Sequence, residues 1–234
     1  IGMPCDLAAI IALARRHGLY VVEDAAPALG SEVLWNGEWQ KIGKPQSDIA
    51  CFSFQARKVI TTGDGGMLTT SNPEYDAKFR QWRGHGVDLP DSARHGLKTG
   101  LFEEYSVLGY NSRLTDIQAT RGRAKLTKLP EIVRRRRHLA SRYKDLLEQI
   151  PGLGIPVEPS WARSNWQSYC IMLPPHAKQL EVMQFMLDHG VATRRGVHTS
   201  HMEGAYEIEP WGCGADRKNC GCAPRTCKNL RESE

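Results

Sequence analysis

The chain has 234 residues, 41% of them hydrophobic and 24% charged, so it can bury one substantial core or a large core and a smaller one. No apolar run approaches the roughly eighteen residues a membrane-spanning helix needs, and Ile1-Gly2-Met3-Pro4 has neither the basic start nor the apolar stretch of a secretory leader. The net charge of +5 is modest, and Arg134–Arg137 supplies much of it; without interleaved aromatics that run reads as a solvated helix face or a contact for acidic groups, not a nucleic-acid surface.

In chain order, Asp6 to His17 carries an apolar stripe at Leu7, Ile10, Ile11, Leu13 and Ala14, with Asp6 as cap and Gly18 as stop, and reads as a helix. Leu19–Val22 then reads as a buried parallel strand ending on Glu23-Asp24. Further strands are expected at Ile49–Phe54 and Gly66–Thr70, a helix at Asn72–Trp82 and a long loop at Gly84–Gly100. From Thr115 to Ile150 the pattern is helical, with Pro130 dividing or kinking it. Beyond Pro151 a strand at Gln167–Leu173, a helix at Gln179–His189 and a strand at Val191–Val197 read as a second, smaller α/β unit. Alternating helices and strands make this an α/β protein, in which ligands collect at the carboxyl ends of parallel strands.

Seven cysteines are present. Cys5, Cys51 and Cys170 stand among apolar neighbours and read as small buried residues. Cys213, Cys220, Cys222 and Cys227 fall within fifteen residues. Zinc is an alternative there, but the paired C-x2-C spacing of common zinc sites is missing, so a Gly/Cys-rich loop is preferred and no metal is expected. With no leader visible, the expected compartment is the reducing cytoplasm.

Two segments carry chemistry. In Glu23-Asp24-Ala25-Ala26 a carboxylate at a strand end precedes two small residues, leaving room for a flat ring; an acid facing a pyridine nitrogen keeps it protonated. The bland alternative is an Asp that caps a helix. In Phe52-Ser53-Phe54-Gln55-Ala56-Arg57-Lys58, followed by Thr62-Gly63-Asp64-Gly65-Gly66-Met67, a lysine sits beside an apolar strand and a glycine-dense turn. Partial burial makes an amine a better nucleophile toward an aldehyde, and Ser53 offers a hydroxyl to a phosphate. The alternative is a β-hairpin with a polar turn.

Together with Gly109-Tyr110-Asn111-Ser112-Arg113-Leu114-Thr115-Asp116-Ile117-Gln118-Ala119, these segments resemble the DegT/DnrJ/EryC1/StrS family of pyridoxal-phosphate sugar aminotransferases. Arg83-Gly84-His85-Gly86 and Gly196–His201 fit more loosely, and the resemblance fades after about Tyr206. It implies the fold-type I aminotransferase architecture: residues 1–129 as the C-terminal part of a large, mostly parallel-sheet cofactor-binding domain, and 130–234 as an incomplete small C-terminal domain. It also implies that Lys58 holds pyridoxal 5'-phosphate as a Schiff base and moves the proton, that Asp24 pairs with the pyridinium nitrogen, that Ala26 packs beneath the ring, and that Ser53 binds the phosphate. Asn111 would reach that phosphate from the neighbouring subunit of a homodimer, and His201 would contact substrate.

The implied reaction takes an amino group, usually from glutamate, to a ketone on a nucleotide-linked deoxysugar, as in cell-surface polysaccharide or secondary-metabolite synthesis. The expected partners are these small molecules and a second copy of the chain, with no nucleic acid and no membrane. A family sugar dehydratase, which typically carries histidine in place of the lysine, and a non-catalytic binding protein remain as alternatives. Pro27 and Gln55 depart from the Gln and His common in the family, the family's N-terminal segment is missing, and the sequence reads as truncated at both ends. The segment Asn165–Tyr169 receives no role.

Overall fold

The computed structural model describes residues 1–44, 46–88 and 102–196. The chain divides into two compact units, Ile1–Pro151 with Ile155–Ile171, and Gly152–Gly154 with Met172–Glu234.

The first unit opens with helix α1 (Leu7–Arg16). Asp6 caps it by accepting from Ala9 N at 3.1 Å, satisfying one of the amides a helix start leaves free. Its buried residues Leu7, Ile11 and Ala14 recur at helical spacing and turn one stripe to the core. Strand β1 (Val22–Asp24) pairs in parallel with β4 (Ile49–Ser53), which pairs antiparallel with β5 (Gly66–Thr69). The expected first strand thus starts three residues late. Leu19 and Tyr20 are 59% and 74% exposed, because β1 is an edge strand among the described residues. Asp48 stitches this edge to α1: its carboxylate accepts two bonds from Arg15 at 2.9 and 3.0 Å and one from Val21 N at 2.6 Å.

A second sheet lies beyond the strands expected from the sequence. Strands β2 (Glu32–Trp35) and β3 (Glu38–Lys41) form a hairpin about Asn36-Gly37, whose φ values of 51° and 82° suit a two-residue turn of this kind. On the other edge of β2 lies β6 (Ala162–Arg163), with Glu32 opposite Arg163 and Val33 opposite Ala162. The core joins both sheets to α1 through Leu7, Ile11, Ala25, Ala28, Val33, Ile42, Ala50 and Phe52. Leu7 and Val33 are each 1% exposed, and burying a side chain of that size contributes roughly 1.5–3 kcal/mol.

Helix α2 (Pro73–Arg83) begins on Asn72, whose side chain accepts from Glu74 N, with Pro73 in the first turn. The long helical pattern resolves into α3 (Asp116–Leu126) and α4 (Leu129–Leu147). The break falls at Thr127-Lys128, and Pro130 occupies the first turn of α4, where its missing N–H costs nothing.

Among the described residues, 167–173 contain no strand beyond an isolated bridge between Met172 and Gly154. In the second unit α5 (Gln179–Asp188) forms as expected, while 191–196 are not a strand: Val191 N donates back to Met186 O and closes the helix end. Val197, His201 and the four C-terminal cysteines lie outside the described residues. Among the described residues no helix is long and apolar enough to cross a membrane.

Candidate active site

Because β1 and β4 run parallel, their carboxyl ends lie side by side. Asp24, the last residue of β1, is opposite Cys51, and Ser53 closes β4 two residues further on. The pleat separates the two adjacent acids of β1: Glu23 is half-buried and Asp24 exposed. Burial pushes the Glu23 carboxyl above its ordinary range, opposed by a hydrogen bond from Ser47 Oγ at 3.4 Å. Burial also raises the Cys51 thiol, helped by the Asp24 and Glu23 carboxylates, so this thiol stays protonated beside the strand ends.

After Asp24 the chain turns sharply. Ala26 N donates to Asp24 Oδ1 at 3.1 Å, and Ala28 N to Ala25 O at 2.8 Å. Asp24 is thereby held in a short turn with Ala26 two residues on.

Lys58 sits half-buried on the connection between β4 and β5. Phe54 clasps the base of this connection: its N–H donates to Gly65 O at 2.8 Å, and its carbonyl accepts from Thr62 N at 3.1 Å and Thr61 Oγ1 at 3.0 Å. At the tip, Lys58 N donates to Gln55 O at 2.9 Å, and the Gln55 side chain accepts from Arg57 N at 3.0 Å. The amine is therefore mounted on a closed, internally bonded loop. Ser53 Oγ accepts from Gln55 N at 3.3 Å, which leaves its own proton to donate elsewhere.

The segment containing Asn111 docks on the C-terminal end of α2. Tyr110 N donates to Trp82 O at 2.6 Å, Ser112 N to Arg83 O at 3.1 Å, and Asn111 itself bridges to Gly84. Thr115 and Gln118 form a reciprocal cap at the start of α3, and Gln118 Nε2 reaches Asp64 O at 3.2 Å. The φ of +132° at Gly65 favours glycine, and a Cβ there would meet Leu114 Cδ2 at 2.6 Å, so the leucine side chain would have to shift. A cavity of about 460 Å³ lies where this helix meets the Lys58 loop, lined by Thr61, Thr62, Gly63, Gln118 and Arg121 among others.

The structure therefore brings Asp24, Ala26 and Ser53 to the carboxyl ends of the parallel pair β1 and β4, with Lys58 on the loop that follows. Asn111 is exposed on a separate segment, and His201 lies outside the described residues.

The basic run on α4 is largely committed to internal contacts. Arg134 pairs with Glu131, Arg137 makes a two-point pair with Glu158 at 2.6 and 2.9 Å, and Arg136 Nη1 donates to the carbonyls of Trp166 and Gln167. Asn165, unassigned from sequence, is wholly buried and bonded to the turn that follows Asp24. No local sequence signal marks it, because its partners lie more than 130 positions away.

The sequence model of the DegT/DnrJ/EryC1/StrS aminotransferase family matches residues 1–215. The chain belongs to this family. It is 35% identical over 172 residues to spore coat polysaccharide biosynthesis protein SpsC of Bacillus subtilis (strain 168), an alignment covering 74% of this chain and 43% of that protein. It is 32% identical over 197 residues to the dTDP-4-dehydro-2,3,6-trideoxy-D-glucose 4-aminotransferase of Saccharopolyspora spinosa, covering 82% and 49% of the two chains. Among solved structures, S. venezuelae DesV in complex with a ketimine intermediate superposes with a TM-score of 0.74 at 31% identity, covering 92% of this chain and 53% of that one. The chain thus spans about half the length of the curated relatives it matches. Its architecture is that of the fold-type I aminotransferases, and the cofactor of the family is pyridoxal phosphate.

Proposed function

We propose that the protein is a pyridoxal-phosphate-dependent aminotransferase that moves an amino group, from glutamate as donor, to a ketone on a nucleotide-linked deoxysugar. It works in the cytoplasm as a homodimer with shared active sites. The observation that carries the reading is the meeting of Asp24 and Ser53 at the ends of adjacent parallel strands, with Lys58 on the closed loop beyond them.

These residues suit the cofactor chemically. An exposed carboxylate at a strand end suits a pyridine nitrogen, a hydroxyl with a proton to give suits a phosphate oxygen, and a primary amine on a fixed loop suits an aldehyde. Bound pyridoxal phosphate supplies an electrophilic carbon and a ring that accepts electrons from the substrate carbon. Asp24 keeps the ring nitrogen charged. Ala26, with only a methyl group, leaves the ring face open. Ser53 Oγ donates to the phosphate, and Asn111 does so from the partner subunit. Lys58 Nζ anchors the cofactor and then takes up and returns the proton that changes place during transfer. His201 contacts the sugar substrate.

The S. spinosa relative is by name an aminotransferase of a dTDP-linked keto-deoxysugar, which supports the substrate class. Lys58 stands where dehydratases of the family typically carry histidine, which favours transamination. The test is absorbance of the complete protein with added pyridoxal phosphate, followed by turnover with glutamate and a panel of nucleotide keto-sugars. A cofactor band present in wild type and lost in Lys58→Ala is expected. A wild-type protein that binds the cofactor yet aminates no keto-sugar in the panel refutes the substrate class.

A further inference from the structure

The turn that follows Asp24 is gripped from the opposite end of the unit. Asn165 is 0% exposed, and both polar atoms of its carboxamide are bonded. Nδ2 donates to Pro27 O at 2.8 Å and to Leu29 O at 2.9 Å, while Oδ1 accepts from Gln167 N at 2.8 Å. Its backbone N–H donates to Ser31 Oγ at 2.9 Å, and that hydroxyl in turn donates to Gly2 O at 2.7 Å. One buried side chain thus clamps both carbonyls of the turn three and five residues after Asp24. The geometry is two-point, so it fixes the turn's direction as well as its position. Aspartate at the same place would set a carboxylate against two carbonyl oxygens.

The clamp is held in turn by strain and support on its own segment. Trp166, the next residue, has φ +52°, a left-handed conformation that a bulky side chain rarely adopts. It persists because Arg136 Nη1 donates to Trp166 O at 3.0 Å and Gln167 O at 3.1 Å, and because Trp166 N donates to Ser164 Oγ at 3.0 Å.

We infer that Asn165 is a positioning residue for the cofactor: through the carbonyls of Pro27 and Leu29 it holds the turn that sets Asp24 against the pyridine nitrogen and Ala26 beneath the ring. This rests on the function proposed above. Pro27 has neither an N–H nor a polar side chain, so its carbonyl is the polar group through which Asn165 reaches it, adding to the local bonds of Ala26 and Ala28.

The test compares the complete wild-type protein with Asn165→Ala, Asn165→Asp, Ser31→Ala and Arg137→Met. Three quantities are read: the unfolding midpoint, the dissociation constant for pyridoxal phosphate by absorbance titration, and the pH midpoint of the bound cofactor's absorbance band. Arg137→Met removes the pair with Glu158 and the bond to Ser164 O, so it weakens the same segment without touching the turn. It is expected to lower the unfolding midpoint and leave both cofactor readings at wild type.

Both Asn165 variants are expected to raise the dissociation constant on the order of ten-fold, as two hydrogen bonds to the turn are lost. They are also expected to raise the pH midpoint, because a less firmly held pyridinium charge repels the titrating proton less. Ser31→Ala keeps the carboxamide but removes its backbone anchor, and gives a smaller change of the same sign. It decides the matter if the Asn165 variants do not fold. Wild-type cofactor readings in the Asn165 variants, or in Ser31→Ala where only that protein folds, overturn the inference while leaving the proposed function standing. A wild-type protein with no cofactor band overturns both.

Discussion

Gly43 is predicted to be one of the least replaceable residues of the first unit, and Gly43→Ala tests the packing behind β4. Its φ is +83°, and a Cβ there would overlap Cζ and Cε2 of Phe52 and come within 3.4 Å of Thr69 Oγ1. Phe52 is 9% exposed in the shared core, so its ring has little room to move away. Thr69 Oγ1 donates to Gly43 O at 2.9 Å, which ties the glycine to β5. The left-handed backbone costs a residue with a Cβ about 1–2 kcal/mol. Overpacking adds about 1–3 kcal/mol. The reduced freedom of the unfolded chain returns about 0.4–1 kcal/mol, leaving a net loss of about 1–5 kcal/mol.

Urea unfolding should show a lower midpoint at unchanged slope. Combining Gly43→Ala with Phe52→Leu should restore about 1–2 kcal/mol of coupling, the steric part, while the backbone part remains. A single-variant loss under about 0.5 kcal/mol, or a coupling of zero, would refute the claim that the Phe52 ring and the Gly43 backbone exclude a methyl group between them.

Two more outcomes follow from the carboxylates. Glu23 is raised above its ordinary range by burial, so its folded form favours the proton; stability is fullest below the unfolded value and declines as pH rises through the folded one. Glu23→Gln should therefore raise the melting temperature at neutral pH, with the gain shrinking on acidification; a gain that grows toward acid would contradict this. Asp48 is held below its ordinary range chiefly by its hydrogen bonds from Arg15, so its contribution is present above the unfolded value near 3.8 and is lost as pH falls through the folded one. Asp48→Ala should cost about 1–3 kcal/mol at neutral pH, since Val21 N and Arg15 lose their acceptor, and thermal melts at several pH values would show the difference closing in acid.

What could be read in advance was mostly local. Asp6, Asn72 and Thr115 are short polar residues ahead of helical patterns, and each caps the helix that follows. The neighbouring placement of Asp24 and Ser53 follows from two strands of a parallel pair ending in order. The hairpin of β2 and β3 also has a local signature, since Asn36-Gly37 between Leu34-Trp35 and Glu38-Trp39 is a strong two-residue turn signal. The apolar character of 167–173 suggests a strand, yet Arg136 takes the carbonyls of Trp166 and Gln167 at its start and the chain bends at Trp166. The hold of Asn165 on the turn at Pro27 could not be read, because no local pattern encodes a bond between residues 138 positions apart.

That separation has a consequence for how the protein is made. The Lys58 loop closes through bonds between Phe54 and residues 61–65, a short excursion that loses little chain entropy, so it can form as soon as it leaves the ribosome. The turn beside Asp24 must wait for some 135 further residues before Asn165 arrives to hold it. At a synthesis rate of about 5–20 residues per second, the nascent chain carries a formed lysine loop for several seconds before Asn165 reaches the turn beside Asp24.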